Sequence, residues 1–318
     1  MRGDDFARRT EPFRRELLAH CYRMLGSVDE AEDLVQDTYL RAWRSYDGFE
    51  GRSSVRVWLY RIATNACLTA LDQRARRAIP SGLAGPTSDP SAVPSAAPSM
   101  APDVAWLQPI PDSTDPATIV AERESLRFAL IASLQCLPPR QRAVLILREV
   151  LAFPAADVAA MLDTTTAAVK SSLQRARARL DEASPHPEQQ TEPTDPHARM
   201  LLDQYIAGFE HADVAALERA LRTDAAIELV GTRTWFSGRV TCLRFLTGVV
   251  GSPGDWRMVP TTANGQPAAA AYRRDGDGIY LAALTTPDTG IARILVFDGG
   301  ADLLARFGLP PTPVPAPT

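Results

Sequence analysis

Contact with phosphate groups is the chemistry that the residue types in this sequence indicate most directly. Two short stretches are rich in arginine: QRARR at 73–77, and KSSLQRARAR at 170–179, which contains no acidic residue. Lys170 is the only lysine in the chain, so the basic surface consists almost entirely of arginine. Because the formal net charge of the chain is −4, these stretches are local basic patches, which are typical of limited phosphate contact on nucleic acid.

Metal binding and disulfide chemistry find no support in the spacing of cysteine and histidine. The four cysteines (Cys21, Cys67, Cys136 and Cys242) are scattered without a CxxC pair, and the four histidines share no ligand spacing. We therefore expect reduced thiols, no metal and no cofactor.

Acid–base catalysis needs a paired acid and base lining a pocket, and the candidates lie in the last third of the chain. The polar candidates are Asp203, Tyr205, Glu210, His211 and Asp224. The aromatic residues that could form the walls of such a pocket are Trp235, Phe236, Trp256, Tyr272 and Tyr280. No Asp/His pair among them has a spacing typical of catalysis, so the sequence predicts a protein that is not an enzyme.

The elements that carry these residues begin with a cluster of helices over 10–77. In the segment DEAEDLVQDTYLRAW at 29–43, Ser27 and Glu30 form a capping box that places the start of a helix near Val28. The residues at helical spacing that form its buried face are Ala31, Leu34, Val35, Thr38 and Ala42. The opposite face carries Asp33, Asp37, Arg41 and Arg44. It indicates either a solvated surface or a contact with a large polar partner.

A helix over roughly 54–76 carries a second candidate surface. Its aromatic, amide and basic residues are Trp58, Tyr60, Asn65, Arg74, Arg76 and Arg77. This pattern is typical of a surface for single-stranded nucleic acid, on which rings stack on bases and arginines hold the backbone. The alternative is a core position for the aromatic residues, above all for Trp58.

Residues 78–118 are rich in Pro, Ser and Ala, which predicts a flexible tether with Trp106 and Leu107 as an anchor. A free tether of this length has a random-coil span of ~35 Å and an extended reach of ~130 Å. It could therefore join two different DNA readers whose elements lie two helical turns apart, ~70 Å.

Helices resume over 119–182, where Pro139 suits a first helical position. The stretch 154–182 predicts a helix-turn-helix, with Thr164, Thr165, Thr166 and Lys170 near the start of its second helix, where such helices meet base edges. Arg175, Arg177 and Arg179 follow, better placed for phosphates. A plain helical hairpin is the alternative.

After a second linker at 183–196, residues 197–309 predict an α+β domain. Two helices, about 197–210 and 213–222 with Asp213 as a cap, precede a predicted meander of strand-like runs: AAIELV, WRMVP, PAAAAYRR, IYLAALTT and ARILVF. No apolar run in the 318 residues approaches the ~20 needed for a membrane span, and the N-terminus MRGDDFARRT is no signal peptide. We expect a cytoplasmic protein with no membrane partner.

The motifs together resemble a known family. AEDLVQDTYLRAW, FEGRSSVRVWLYRIATNACLTAL and LPPRQRAVLILREVLAFPAADVAAMLDTTTAAVKSSLQRARARL look like domains 2 and 4 of bacterial sigma factors of the extracytoplasmic-function (ECF) class. ANGQPAAAAY and the closing RFGLP are similar to the SnoaL-like domain at the C-terminus of one subgroup. The resemblance implies two all-α helical domains, the second with a helix-turn-helix, followed by an α+β conical SnoaL-like domain. The implied ranges are 10–77, 119–182 and 197–309.

The resemblance also implies partners, namely core RNA polymerase (β′ clamp and β flap) and promoter DNA. It assigns polymerase binding to Asp33, Gln36, Asp37 and Arg41. It assigns the melted −10 element to the loop 49–55 and the helix after it: Phe49, Ser53, Ser54, Trp58, Tyr60, Asn65, Arg74, Arg76 and Arg77. It assigns the −35 duplex to a recognition helix over 165–177: Thr165, Thr166, Lys170, Ser171, Gln174, Arg175 and Arg177. Many members have an arginine where Ser172 stands, and its absence is expected to weaken phosphate contact or shift the −35 preference.

The implied function is promoter recognition and melting within the polymerase holoenzyme. The C-terminal domain would regulate it in cis, responding to a small-molecule or protein ligand. The loop VFDGGADLL at 296–304 either touches the sigma domains or forms a simple Asp-Gly-Gly turn. The main alternative is an autonomous helix-turn-helix regulator with a ligand-sensing domain, which leaves the helices at 29–44 and 54–77 without a role. An enzyme fused to a DNA-binding region is a third class, and it lacks a catalytic pair.

Overall fold

The computed structural model describes residues 2–51, 53–72, 76–87, 101, 103–112, 126–183, 193–275 and 278–312. These residues divide into two compact units. The first lies within Met1–Arg77 and Phe128–His186, and the second within Ala78–Arg127 and Pro187–Thr318.

The first unit begins with four helices, the first of which lies almost wholly before the predicted domain 2 (10–77). They are α1 (Arg2–Thr10), α2 (Arg14–Leu25), α3 (Val28–Ser45) and α4 (Val55–Leu71). α2 ends at Gly26, whose φ of 70° is in the left-handed region that favours glycine. Ser27 then caps α3, its hydroxyl accepting a hydrogen bond from Glu30 N at 3.3 Å. The predicted start of this helix is confirmed.

The predicted buried face of α3 is confirmed, because Ala31, Val35, Thr38 and Ala42 are buried and Leu34 is half-buried. The next helix is shorter than predicted. α4 ends at Leu71 rather than near 76.

The helices of the predicted domain 4 complete the first unit. They are α5 (Phe128–Gln135), α6 (Pro139–Leu145), a π-helical turn (Ile146–Val150), α7 (Ala155–Met161) and α8 (Thr166–Ala183). Pro139 begins α6, as predicted. Between α7 and α8, Asp163 has a φ of 48° and Thr164 N donates to Ala159 O at 2.9 Å. This tight turn gives the helix-turn-helix that the sequence predicts.

The second unit contains a six-stranded sheet with helices. Its elements are α9 (Pro196–Glu210), α10 (Val214–Ala220), β1 (Leu221–Val230), β2 (Trp235–Ser237), α11 (Arg239–Val250), β3 (Trp256–Ala263), β4 (Gln266–Arg273), β5 (Ile279–Thr285), β6 (Ile291–Asp298) and α12 (Gly300–Arg306). The strand order is β2-β1-β6-β5-β4-β3. As predicted, Asp213 caps α10 by accepting a hydrogen bond from Ala216 N at 2.9 Å.

The predicted strands form a meander only in part. β3 to β6 pair antiparallel in sequence order, whereas β1 returns beside β6 in parallel register, with Ile227 opposite Ile294. One face of the sheet packs on helices around Leu217, Phe236 and Ile294. The stretch 296–304 holds the end of β6 and the start of α12, so it is more than a simple Asp-Gly-Gly turn.

The described ranges contain no disulfide, no candidate membrane span and no candidate metal site. All four cysteines are free, and three of them are buried. Within those ranges, no helix is long and apolar enough to cross a membrane. Nor do three or more His, Cys, Asp or Glu residues there form a group that could hold a metal ion.

Burial of His20 makes the first unit sensitive to acid. His20 lies fully buried in α2 with its Nε2 2.9 Å from Thr64 Oγ1. Burial, and then the charge of Arg23, lowers the pKa of His20 from 6.5 to about 3. Because the folded pKa lies below the unfolded one, the contribution of neutral His20 is fully present above pH 6.5 and is lost as the pH falls toward 3.

We expect the free energy of unfolding of the first unit to fall by about 1.4 kcal/mol per pH unit in this range. Urea titrations at several pH values measure the slope. His20→Gln should remove most of it, whereas His211→Gln, at an exposed site, should leave it intact. An undiminished slope in His20→Gln would contradict the assignment.

Candidate nucleic-acid interface

The outer face of α3 is exposed and carries the residues predicted to bind polymerase. Asp33, Gln36 and Arg41 are exposed, and Asp37 is part-exposed and pairs with Arg41 at 2.8 Å. Leu40 lies among them with 49% of its surface exposed. A single exposed apolar side chain is common on protein surfaces, but this one adds apolar area to the face that carries the residues predicted to bind polymerase. The sequence prediction did not include Leu40, which lies four residues after Gln36 and therefore on the same face of the helix.

The loop after α3 forms an aromatic surface at the start of α4. The rings of Phe49 and Trp58 lie 4.7 Å apart, and both are half-buried. Ser53 is exposed. Ser54 has a local structural role, because its hydroxyl caps α4 by accepting a hydrogen bond from Val57 N at 3.2 Å. The neighbouring Arg52 lies outside the described residues.

Tyr60 differs from the prediction of a base-stacking ring. It is fully buried, with its hydroxyl 3.1 Å from Glu16 Oε2, and the same carboxylate accepts from Arg56 Nη2 at 2.9 Å. Burial raises the pKa of Tyr60 well above its ordinary value. Its ring packs on Phe153 with centroids 5.0 Å apart, so it joins the core rather than the surface.

Asn65 contacts the helix-turn-helix in this structure. Its Nδ2 lies 3.4 Å from Met161 O at the end of α7. One turn earlier on α4, Arg61 pairs with Asp163 in the turn at 3.1 Å. The predicted −10 residue and the turn that precedes the predicted −35 helix therefore share a contact within the first unit.

Two of the arginines predicted to bind the melted −10 element contact protein groups instead. Arg77 pairs with Glu30 at 2.7 Å, and only 15% of its side chain is exposed. Arg76 Nη2 lies 2.8 Å from Cys136 Sγ. Arg74 lies outside the described residues. The helix ends before 76, so Arg76 and Arg77 reach back to protein groups instead of extending a basic helical face.

Arg142 is a buried charge that the sequence prediction missed. Only 3% of it is exposed, and burial lowers its pKa to about 10. Its guanidinium donates to Met24 O, to the side chain and backbone oxygens of Gln135 (2.8 and 3.2 Å) and to Leu137 O at 3.2 Å. Because Met24 lies in the last turn of α2, Arg142 links the two sigma-like domains. The feature of the sequence that could have revealed this buried charge is the position of Arg142 within the apolar stretch of α6.

The recognition helix α8 presents the predicted residues to solvent. Thr165, Thr166, Lys170, Ser171, Gln174, Arg175 and Arg177 are all exposed. Val169 and Ala176 on the opposite face are buried. Arg175 donates to Ser171 Oγ at 3.0 Å, while Arg177 Nε donates to Glu149 Oε1 at 3.0 Å. That hydrogen bond raises the pKa of Arg177.

The acid–base candidates of the second unit do not converge. Tyr205 lies in the core, Glu210 binds Arg257 at 3.1 Å, and Asp224 pairs with Arg222. Asp203 is exposed, and His211 Nδ1 lies 3.1 Å from Ala207 O.

The predicted pocket walls are dispersed in the same way. Phe236 and Trp256 are buried in the core, where Tyr280 packs against Trp256. Tyr272 belongs to a separate cluster, and Trp235 donates to Ala84 O. In the described residues, these aromatic side chains therefore surround no acid–base pair.

Residues of the predicted tether pack on the second unit, which differs from a freely flexible segment. Glu228 on β1 is fully buried and accepts from Ser81 N at 2.8 Å and from Ser81 Oγ at 3.0 Å. Arg293 on β6 also pairs with Glu228. Farther along, Trp106 Nε1 donates to Ala101 O at 3.2 Å and Leu107 is buried, as expected of an anchor.

Tether residues Ile110 and Asp112 are held at the turn between β3 and β4. Asn264 is fully buried, with its Oδ1 accepting from Ile110 N at 2.9 Å and its Nδ2 donating to Leu126 O at 2.7 Å. Asp112 Oδ1 accepts from Gly265 N at 2.6 Å. Buried side chains of the domain therefore hold the tether at two separate places.

Comparison with known proteins decides the family. Residues 10–77 match Sigma-70 region 2, and residues 127–180 match Sigma-70 region 4. The ECF RNA polymerase sigma factor SigG of Mycobacterium tuberculosis is 46% identical over 319 aligned residues, covering 97% of this chain and 85% of SigG. The chain belongs to the ECF RNA polymerase sigma factors. It is therefore a transcription initiation factor, with core RNA polymerase and promoter DNA as the partners that the sigma regions imply.

One further relative, compared both by sequence and by structure, bears on the whole architecture of this sigma factor. ECF sigma factor SigJ of M. tuberculosis is 33% identical over 172 residues, covering 52% of this chain and 47% of SigJ. The crystal structure of SigJ matches 94% of this chain and 98% of that chain with a TM-score of 0.62 at 22% identity. The fold class expected from the sequence is confirmed: helical sigma domains followed by a SnoaL-like α+β domain.

Proposed function

We propose that this sigma factor binds core polymerase through the exposed face of α3. The apolar side chain of Leu40 supplies buried area, and Asp33, Gln36, Asp37 and Arg41 supply a polar rim that meets the β′ clamp. The observation that supports this proposal most directly is that Leu40, which lies within the matched Sigma-70 region 2, is 49% exposed. Domain 4 would meet the β flap, and the protein would work in the cytoplasm, together with the polymerase.

Promoter reading divides between two surfaces in this proposal. Phe49, Ser53 and Trp58, with Asn65, would bind the melted −10 strand, while the exposed face of α8 reads the −35 duplex. Because Asn65 contacts Met161 in the present arrangement, domains 2 and 4 must separate before both elements are bound. Two elements ~70 Å apart require the same separation.

The SnoaL-like domain would regulate this separation in cis by holding the tether. Glu228 and Asn264 bind tether residues on both sides of Leu107, so the held segment is no longer free to extend toward ~130 Å. A ligand or protein partner that prefers the domain without its tether would shift the equilibrium toward the open arrangement.

Promoter selection tests the proposal. Holoenzyme reconstituted from core polymerase and the full chain should enrich DNA fragments carrying two different elements about two helical turns apart. Core polymerase alone should not enrich them. Selection of palindromic duplexes by the chain without polymerase would instead support an autonomous helix-turn-helix regulator.

Glu149 is expected to restrain the DNA contact of Arg177. Their ion pair must open before Arg177 can meet a phosphate, so Glu149→Gln should raise −35 duplex affinity of the holoenzyme about three- to tenfold at low salt. Fluorescence anisotropy with a labelled duplex measures the change. Asp181→Asn, a charge-matched change at an exposed site later on α8, should have a smaller effect. Equal gains from both variants would contradict a specific restraint.

A further inference from the structure

The N-terminal helix α1 lies almost wholly before the matched sigma region, which starts at residue 10, yet it is packed into domain 2. Phe6 is only 9% exposed. Its ring makes edge contacts with Tyr39, Trp43 and Tyr46 at centroid distances of 6.3, 5.2 and 5.2 Å. Tyr39 also donates a hydrogen bond to Thr10 O at 2.7 Å. The end of α1 is therefore fixed relative to α3.

The aromatic contacts continue from α1 to the candidate single-strand surface. Tyr46 packs on Trp58 at 6.3 Å, and Trp58 packs on Phe49 at 4.7 Å. Asp5 on α1 accepts a hydrogen bond from the Tyr46 hydroxyl at 2.5 Å, which lowers the pKa of Asp5. The Tyr46 ring and its hydrogen bond to Asp5 thus connect α1 with the loop that contains Phe49.

Arg9 is the residue of α1 that reaches this surface. Its guanidinium lies 5.9 Å from the centre of the Tyr46 ring and 5.8 Å from that of Phe49, and Nη1 donates to the Tyr46 hydroxyl at 3.1 Å. Nη1 also lies 3.9 Å from Asp5 Oδ2, and nearly half of the Arg9 side chain, 45%, remains exposed. The ring contacts therefore hold a cation in place at the surface without burying it.

A fixed arginine beside half-buried aromatic rings is a pairing that suits single-stranded nucleic acid, because rings stack on bases while guanidinium groups bind the backbone. The arginines that sequence reasoning gave this task, Arg76 and Arg77, are engaged with Cys136 and Glu30. Arg9 supplies a cation 5.8 Å from the centre of the Phe49 ring, whose other aromatic contact is Trp58 at 4.7 Å.

We propose that α1 supplies Arg9 as a backbone contact for single-stranded promoter DNA bound at Phe49 and Trp58. The inference rests on the proposed −10 function of that surface. It adds a residue outside the matched sigma region, and it assigns to α1 a role in holding melted DNA.

The test compares Arg9→Ala with Arg8→Ala in holoenzyme made from the full chain. Arg8 is a matched control because it lies on the same helix, pairs with the same Asp5 at 2.6 Å and is 78% exposed. The probe is a labelled oligothymidine strand of ~12 nucleotides, which suits sequence-tolerant stacking. Its affinity is measured over a series of salt concentrations, and core polymerase alone gives the background.

Arg9→Ala should weaken binding of the strand about five- to tenfold and lower the slope of log affinity against log salt by ~0.7, the loss of one phosphate contact. Arg8→Ala should change neither value. Weaker binding with an unchanged slope would overturn the proposed contact, because Arg9 would then act only as a positioning residue. Equal values for the two variants would also overturn the proposed contact. If wild-type holoenzyme binds the strand no better than core polymerase, the proposed −10 surface itself fails, and the contact fails with it. Circular dichroism melting of both variants shows that α1 and domain 2 remain folded.

Discussion

Replacing Glu228 with alanine is expected to release the start of the tether and to lower the free energy of unfolding of the second unit by about 2–3 kcal/mol. Glu228 is a fully buried carboxylate that binds Ser81 twice and pairs with Arg293. Its removal leaves the Ser81 N–H without its acceptor and leaves the Arg293 guanidinium without its carboxylate, with Ser81 Oγ at 3.3 Å as the remaining acceptor. We take the lower part of the usual range because the Arg293 side chain is 36% exposed and can be solvated.

Hydrogen exchange measures the release directly. The Ser81 amide should lose its protection in Glu228→Ala, and urea unfolding of the full chain should give the stability change. Glu218→Ala, at an exposed site on α10, should keep both values. Full protection of residues 78–87 in Glu228→Ala would show that this carboxylate does not anchor the tether.

The second large effect is expected at Arg142. Arg142→Ala should destabilise the first unit by about 3–5 kcal/mol, because it removes four hydrogen bonds and leaves buried carbonyl groups and a cavity. Two of the acceptors, Met24 O and Gln135 Oε1, belong to different domains. The loss should therefore weaken the packing of domain 4 on domain 2 as well as each domain's own stability.

Urea unfolding and the distance between spin labels on α3 and α8 measure these two consequences. Arg142→Ala should show earlier unfolding and a broader, longer distance distribution than wild type. The matched control is Arg140→Ala, because Arg140 is exposed on the same helix. A narrow wild-type distribution in Arg142→Ala would mean that other contacts, such as Arg61 with Asp163, hold the domains together.

Local rules allowed much of the fold to be predicted from the sequence. The cap at Ser27, the buried face of α3 and the turn before α8 depend on residues a few positions apart, which helical spacing and capping preferences determine. The parallel pairing of β1 with β6 joins Ile227 to Ile294. No local pattern encodes such a distant pairing, so the sequence suggested only a meander.

The surfaces were predictable where exposure follows from helical spacing, as on α3 and α8. Prediction failed where a residue binds a partner that is far away in the sequence. Tyr60 has the same aromatic character as Trp58, but the carboxylate of Glu16 on α2 draws its hydroxyl into the core. The tether looked flexible by composition, and it is held because Glu228 and Asn264, more than a hundred residues later, complete its hydrogen bonds.

The central claim is that this chain works as a sigma factor through α3, and capture of core RNA polymerase tests it most directly. Immobilised full chain should retain core polymerase. Asp37→Arg should reduce this retention at least tenfold, because a cation replaces the carboxylate at the proposed contact and the Asp37–Arg41 ion pair is lost. Glu218→Arg, the same charge change on the exposed part of α10, should retain polymerase as wild type does. Undiminished capture by Asp37→Arg would contradict the assigned surface. No capture by the full chain, together with binding of duplex DNA by the chain alone, would contradict the sigma-factor account itself.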